Sequence, residues 1–316
     1  MLDILIIGAG PAGMSAAIYA LRAGKRVAVF DKAMYGGQTV NTYEIENYPG
    51  IRRISGTDFA MQLYEQAAAL GAQFVFADVA PLCLEGKEKK LMAGEQEYTA
   101  KAVIIANGAA RRKLECNGEQ RLTGRGVSYC ATCDGAFFKG KQAIVAGSGN
   151  TALEDALYLA NICAEVRLLI RGDRIKGEET TAQRLKKKKN VTIIFNESIA
   201  EILGENRVEA VRTVHRETGK EQVYHTDAVF VAVGQAPNNE PFRDFVKLDK
   251  DGYIIAGEDC KTNMEGVYAA GDTRAKRLRQ IVTAAADGAI AAVYAAEYIE
   301  KLEFENYDFI SGYCHS

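Results

Sequence analysis

A glycine-rich turn between two apolar strands constrains this chain most. Ile4-Leu5-Ile6-Ile7 runs directly into Gly8-Ala9-Gly10-Pro11-Ala12-Gly13. An all-apolar strand of this kind reads as a parallel strand buried on both faces. The glycines at 8, 10 and 13 serve a tight turn, close approach of backbone to a pyrophosphate, and close packing of helix on strand. A helix is predicted from about Pro11, ending before Gly24, with Pro near its start and Gly just past its end. Its N-terminal amides and dipole suit a pyrophosphate. A second strand, Arg26 to Phe30, ends at Asp31. That acid follows Gly8 at close to the roughly 20-residue spacing at which a carboxylate meets ribose hydroxyls.

The pattern then repeats. Gln142 to Ala146 reads as a strand and Gly147-Ser148-Gly149-Asn150-Thr151-Ala152 as the loop, with a helix running to about Cys163 and a strand from Val166 to Ile170. Here the carboxylate position is taken by Ile170, followed by Arg171. Three more apolar runs end in glycine, at Gly108, Gly234 and Gly271. The first unit lacks enough strands unless the C-terminal segment returns to it. The expected fold class is therefore α/β, with two nested Rossmann-like, doubly wound dinucleotide-binding domains. Residues 1–112 and 245–316 form the outer domain and 113–244 the inserted one. Lys186 to Lys189, the one charge run, reads as a solvated helix end, with a docking patch for an acidic protein as the alternative.

Composition excludes several classes. The chain has 316 residues, 48% apolar and 25% charged, with a formal net charge of -2. That balance gives no reason to expect nucleic acid or an anionic membrane as partner. No run is apolar for the roughly 18 residues a membrane span needs, and the start does not read as a signal peptide. Seven cysteines, odd in number and scattered, do not look like a secreted framework. A cytoplasmic location is expected, and no metal site.

Chemistry enters with Cys130-Ala131-Thr132-Cys133-Asp134-Gly135. Cysteines two residues apart can close a disulfide, reopen it, and attack a partner disulfide through a mixed-disulfide intermediate. As a structural staple the pair would constrain almost no chain. Of the three histidines none is near the pair in sequence, so Asp134 is the candidate acid/base. A dithiol and a nucleotide cofactor together point to a flavin-linked disulfide reductase. Cys83, Cys116, Cys163 and Cys260 read as ordinary core or surface residues. Cys314, beside His315, is a candidate electron relay, and Phe309 or Tyr313 a candidate ring to stack on a flavin.

These residues, with Gly36-Gly37-Gln38, Glu46-Asn47-Tyr48-Pro49-Gly50, Gly126-Val127-Ser128-Tyr129 and Arg279-Gln280, resemble the low-molecular-weight thioredoxin reductases over nearly the whole chain. The resemblance implies the pyridine nucleotide-disulfide oxidoreductase fold and a homodimeric enzyme that reduces thioredoxin. It implies FAD in the outer domain on Gly8, Gly10, Ala12, Gly13, Asp31, Gly37, Gln38, Asn47, Gly108, Asp272, Arg279, Gln280 and Ile281. It implies an inserted NAD(P)H-like domain carrying the dithiol, and a rotation between domains that alternates the dithiol between flavin and thioredoxin. Cys133 would face the flavin and Cys130 would attack thioredoxin.

The chain departs from the family at the second nucleotide site, whose candidates are Gly147, Gly149, Asn150, Thr151 and Arg171. NADPH-dependent members carry a His-Arg-Arg cluster and a further Arg; here those places read Ile170-Arg171-Gly172 and Lys176. Charge-assisted Arg pairing holds a 2′-phosphate, and each such bond contributes roughly 1.5–3 kcal/mol. Some relatives take electrons from reduced ferredoxin, so the expected donor is ferredoxin or another protein carrier, with NADPH and NADH as alternatives. Asn107 replaces the usual Thr after the third strand. A dithiol oxidase of the same fold, and a flavin electron carrier without disulfide chemistry, are the competing functions.

Overall fold

The computed structural model describes residues 2–42 and 44–313, with side chains to Glu305. The chain divides into two compact units. One comprises residues up to Ala110 together with those from Ala236 onward; the other runs from Arg111 to Gln235.

The first unit is built on a five-stranded sheet in the order Val267–Ala269, Ala102–Ile105, Ile4–Ile7, Val27–Asp31, Gln73–Phe76, with every pairing parallel. Side chains alternate across the sheet as a strand requires. Ile4 and Ile6 join a core beneath one face, which also takes Ala16, Ala17, Ala291 and Ala295. Leu5 and Ile7 join the other, with Leu91, Phe242 and Ile254. The Pro11–Arg22 helix lies against the long Ile281–Tyr313 helix. Their contact is close because its residues are small: a Cβ on Gly288 would sit 2.0 Å from the Ala12 carbonyl oxygen. An antiparallel trio, Val79–Cys83, Lys89–Ala93 and Gln96–Ala100, links the Gln73–Phe76 and Ala102–Ile105 strands. Strand order reverses beside Ile4–Ile7, and the crevice beyond the strand ends at that switch point is where such sheets bind ligands.

The second unit repeats the plan. Its parallel sheet runs Val191–Phe195, Glu165–Ile170, Gln142–Ala146, Ala228–Val231, Val127–Ser128. The Asn150–Leu159 helix packs on it through Leu153, Ala156 and Leu159. It is shorter than predicted: regular helix stops at Leu159, and the chain continues to Cys163 in turns. The antiparallel strands Glu197–Leu203, Ala210–His215 and Glu221–His225 complete the unit. Lys186 closes the Glu179–Lys186 helix; Lys187 and Lys189 beyond it are exposed. Among the described residues no helix is long and apolar enough to cross a membrane, and no cluster of three metal-ligating side chains occurs.

Candidate functional site

The first glycine turn has the geometry its spacing predicts. Gly8 adopts φ 109°, and a Cβ there would lie 2.2 Å from the Ala106 carbonyl oxygen. A Cβ on Gly13 would lie 1.8 Å from the Gly8 carbonyl oxygen. Gly10 is the extended N-cap of the Pro11–Arg22 helix and offers no capping side chain of its own. Gly37 approaches it: a Cβ on Gly37 would lie 3.3 Å from Gly10 Cα. Asp31 closes the turn, its Oδ2 accepting from the Ala9 amide at 2.9 Å and its Oδ1 from Ala33 at 3.0 Å. A carboxylate has about four acceptor sites, so capacity remains for ribose hydroxyls. A bare helix N-terminus, a turn without side chains and an anchored acid fit a dinucleotide pyrophosphate.

The flavin-side candidates gather around the same strand ends. The Asn47 amide donates to Gln280 Oε1 at 3.2 Å, joining residues far apart in sequence. Gly108 has no heavy atom within 4 Å of a Cβ position, so its surface is open. Asp272 sits in the Gly271–Thr273 turn. Arg279 stacks 4.0 Å over the Tyr253 ring, and its buried Nε makes no hydrogen bond. Ile281 begins the long helix. Gln38 lies exposed on the Gly37–Asn41 turn. Asn107 holds this edge together: its amide donates to the Asn238 carbonyl at 2.6 Å and its Oδ1 accepts from the Thr273 hydroxyl at 2.7 Å.

Asp287 carries no local sequence signal, yet it organises the turn before Asp272. It is 4% exposed. It accepts from Arg274 Nε and Nη2 at 2.8 and 2.9 Å, from Lys276 Nζ at 2.8 Å and from the Gly271 amide at 3.0 Å. Burial pushes its carboxyl up, but the Arg274 and Lys276 hydrogen bonds outweigh burial and hold it below its ordinary value. Its stabilisation is complete above the unfolded pKa, close to 3.8, and is lost as the pH falls through the lower folded value. Asp287→Asn keeps the shape but strands two buried cations. A loss of about 3–5 kcal/mol is expected, read from the urea midpoint at neutral pH; an unchanged midpoint would discount the network.

In the second unit Cys130 and Cys133 form a disulfide with Cα atoms 5.3 Å apart. The Ala131–Asp134 turn shapes this loop, with Cys133 and Asp134 amides both donating to the Cys130 carbonyl. The Ser128 hydroxyl donates to Asp134 Oδ2 at 2.5 Å and accepts from the Cys130 amide at 3.1 Å. One hydroxyl thus ties the candidate acid to the backbone of the first cysteine. Burial raises the Asp134 carboxyl above its ordinary value, partly offset by the Ser128 hydrogen bond and the Arg111 charge. A carboxyl so held retains its proton to higher pH, which suits a donor.

The second glycine loop keeps its turn. A Cβ on Gly147 would lie 2.3 Å from the Ala232 carbonyl oxygen, and Gly149 caps the Asn150–Leu159 helix. Asn150 Oδ1 accepts from the Glu178 amide at 2.7 Å, and the Lys176 and Gly177 amides donate to the Ser148 carbonyl. Asn150 is therefore occupied within the protein, while Thr151 stays exposed. Ile170 is fully buried, and Arg171 is exposed at the strand end. The expectation for Cys314 lies outside the described residues, as do the Phe309 and Tyr313 side chains.

Residues 2–288 match the family described as pyridine nucleotide-disulphide oxidoreductase. The thioredoxin reductase of Listeria innocua is 42% identical over 303 residues, 95% of this chain and 95% of its own length. That of Bacillus subtilis is 42% identical over 303 residues, 95% of this chain and 96% of its own. Among solved structures, a thioredoxin reductase from Streptococcus pyogenes superposes with a TM-score of 0.91 at 39% identity, covering 95% of this chain and 99% of that one.

Proposed function

The chain belongs to the pyridine nucleotide-disulphide oxidoreductase family, and from that premise we propose that it is a flavoenzyme reducing the disulfide of thioredoxin through FAD and the Cys130–Cys133 pair. The observation that carries this reading is the Cys130–Cys133 disulfide with the half-buried, Ser128-bonded Asp134 carboxyl beside it. Gly8, Gly10, Ala12, Gly13, Asp31 and Gly37 would hold the adenosine and pyrophosphate half of FAD. Gln38, Asn47, Gly108, Asp272, Arg279, Gln280 and Ile281 would hold the flavin half. Bound FAD supplies a two-electron carrier.

The chain's own sulfurs do the exchange. A thiolate, Cys130 by the resemblance, attacks one sulfur of the partner disulfide, and the displaced partner sulfur leaves as a thiolate. The second thiolate, Cys133, then attacks Cys130 Sγ, releasing the partner dithiol and closing the Cys130–Cys133 bond. Two electrons leave this chain's sulfurs and two arrive on the partner's. Asp134 gives and recovers a proton as the sulfurs change charge. An enzyme of this kind works as a homodimer, and the exposed Val282, Ile290 and Val293 along the long helix would give that dimer an apolar surface.

The proposed donor is reduced ferredoxin or another protein carrier. Its support is the loss of charge at the second nucleotide loop, where Ile170 is buried and Gly172 carries no side chain. NADPH is the second reading, favoured by the intact Gly147 turn. Anaerobic titration of the yellow protein distinguishes them. Reduced ferredoxin is expected to bleach the flavin fully, while NADPH and NADH at micromolar concentration bleach it little. Rapid, complete bleaching by NADPH would reverse the assignment.

A further inference from the structure

The redox turn places a hydroxyl against one of its two sulfurs. Ala131–Asp134 is a single helical turn, entered through Cys130 in extended backbone. The Cys133 and Asp134 amides donate to the Cys130 carbonyl at 3.3 and 3.1 Å, which fixes residues 130 to 134 to one another. The Ser128 hydroxyl fixes the entry by accepting from the Cys130 amide at 3.1 Å. Thr132 stands inside this frame, and its Oγ1 lies 3.4 Å from Cys130 Sγ, a hydrogen-bonding distance for sulfur. Branching at Cβ stiffens the threonine rotamer. Thr132 is exposed and Cys130 half-buried, so hydroxyl and sulfur meet where a partner disulfide can arrive.

The direction of this bond is fixed by chemistry. Cys130 is held in a disulfide, whose sulfur carries no proton, so the Thr132 hydroxyl is the donor. An ionised acceptor takes a stronger hydrogen bond than a neutral one. The bond therefore tightens when Cys130 becomes a thiolate, and a hydrogen bond to the charged form favours that form. Asp134 cannot serve the same end, because a carboxylate beside a thiolate repels it. Its Oδ2 is instead engaged by Ser128 at 2.5 Å.

We propose that Thr132 is a catalytic residue whose hydroxyl donates a hydrogen bond to the Cys130 thiolate and holds that sulfur in its nucleophilic form. The inference rests on Cys130 being the sulfur that attacks. Opening the pair adds two electrons from the donor and leaves two thiolates. Cys133 takes a proton from Asp134 or solvent, while Thr132 favours the anion at Cys130. That anion forms a bond to one partner sulfur, and the other partner sulfur leaves with the electron pair. Thr132 gives up no proton. Other titratable and charged groups surround the turn: Cys133 and Asp134 on it, Tyr129 with its partner Glu119 before it, and Arg111 at 5.9 Å from the Tyr129 ring. The Asn150–Leu159 helix, packed on Gly135 through Tyr158 and Leu159, adds Glu154, Asp155 and Tyr158. A substitution at Thr132 leaves all of these in place.

The test is the pH dependence of Cys130 alkylation by iodoacetamide, read by mass spectrometry of its peptide in the Cys133→Ser holoenzyme. Adding Thr132→Val keeps the branched shape and removes the donor. It is expected to raise the midpoint by about half a unit to one unit. Adding Thr132→Ser restores the donor and should return the midpoint. In the enzyme with both cysteines, Thr132→Val should move the acid limb of thioredoxin reduction to higher pH. The rate at pH 7 should fall by only about two- to fourfold, because nucleophilicity rises with thiol pKa. A midpoint unmoved by Thr132→Val, or raised equally by Thr132→Ser, overturns the proposal. Trapping of thioredoxin by Cys133→Ser keeps the two readings apart. If thioredoxin is trapped but the midpoint does not move, Thr132 fails and Cys130 stands as the attacking sulfur. If the midpoint moves but nothing is trapped, the hydrogen bond stands and the assignment of Cys130 fails.

Discussion

Cys133→Ser is expected to lower thioredoxin reduction by at least on the order of 10³-fold, the scale set by removing one member of a catalytic unit. The flavin should remain bound and reducible by the donor. Disulfide exchange needs one sulfur to attack and another to resolve, and the Cys130–Cys133 pair brings two within one turn of chain. With serine at 133, Cys130 can still attack, but nothing recloses the bond. The variant should therefore trap thioredoxin as a stable mixed disulfide, visible as a higher band on a non-reducing gel and lost on adding a small thiol. Cys130→Ser should be equally inactive but trap nothing. Turnover by Cys133→Ser close to wild type would dispose of the dithiol route and leave the flavin electron carrier standing.

Gly13→Ala is expected to yield protein with less than about a tenth of the wild-type flavin and a stability loss of about 1–3 kcal/mol or more, the range for an overpacked interior. The added carbon would lie 1.8 Å from the Gly8 carbonyl oxygen and 3.0 Å from its carbon. Backbone cannot turn aside as a side chain can. Gly8 has no slack of its own, since its Cβ position already meets Ala106. The helix cannot retreat freely either, because the Ala12 carbonyl lies against Gly288. The Pro11–Arg22 helix must therefore tilt, carrying its N-terminal amides off the pyrophosphate position. The flavin-to-protein absorbance ratio after gel filtration reads the effect, with the urea midpoint beside it. Gly10→Ala is the control: its Cβ meets nothing nearer than Gly37 Cα at 4.0 Å, so flavin it loses is lost to contact with the ligand. Full flavin content in Gly13→Ala would refute the cradle.

Both nucleotide-type sheets and the redox pair were legible in sequence because their signals are local. The glycines of both turns are marked by their spacing, although only Gly13 meets a near neighbour, Gly8, while the backbone that Gly8 and Gly147 meet lies far along the chain at Ala106 and Ala232, and strands such as Ile4–Ile7 declare themselves by unbroken apolar character. Cys130 and Cys133 are adjacent in meaning as well as position. Asp287 was not legible. No motif or spacing marks Arg274, Lys276 or Asp287, and only folding reveals that one carboxylate takes two cations and the Gly271 amide. In the sequence Asn107 is a departure from the usual Thr that puts a minor flavin contact in doubt; the structure makes it a brace to residues 131 and 166 positions away.

The Pro11–Arg22 helix, made near the start of the chain, is covered by Ile281–Tyr313, made near its end. The same delay applies to the sheet, whose Val267–Ala269 edge pairs with Ala102–Ile105. During synthesis, then, the nascent outer unit stands with an open alanine-rich flank while the whole insertion is still emerging from the ribosome. The insertion, whose own sheet strands all lie between Val127 and Val231, has every partner it needs before the outer sheet can close.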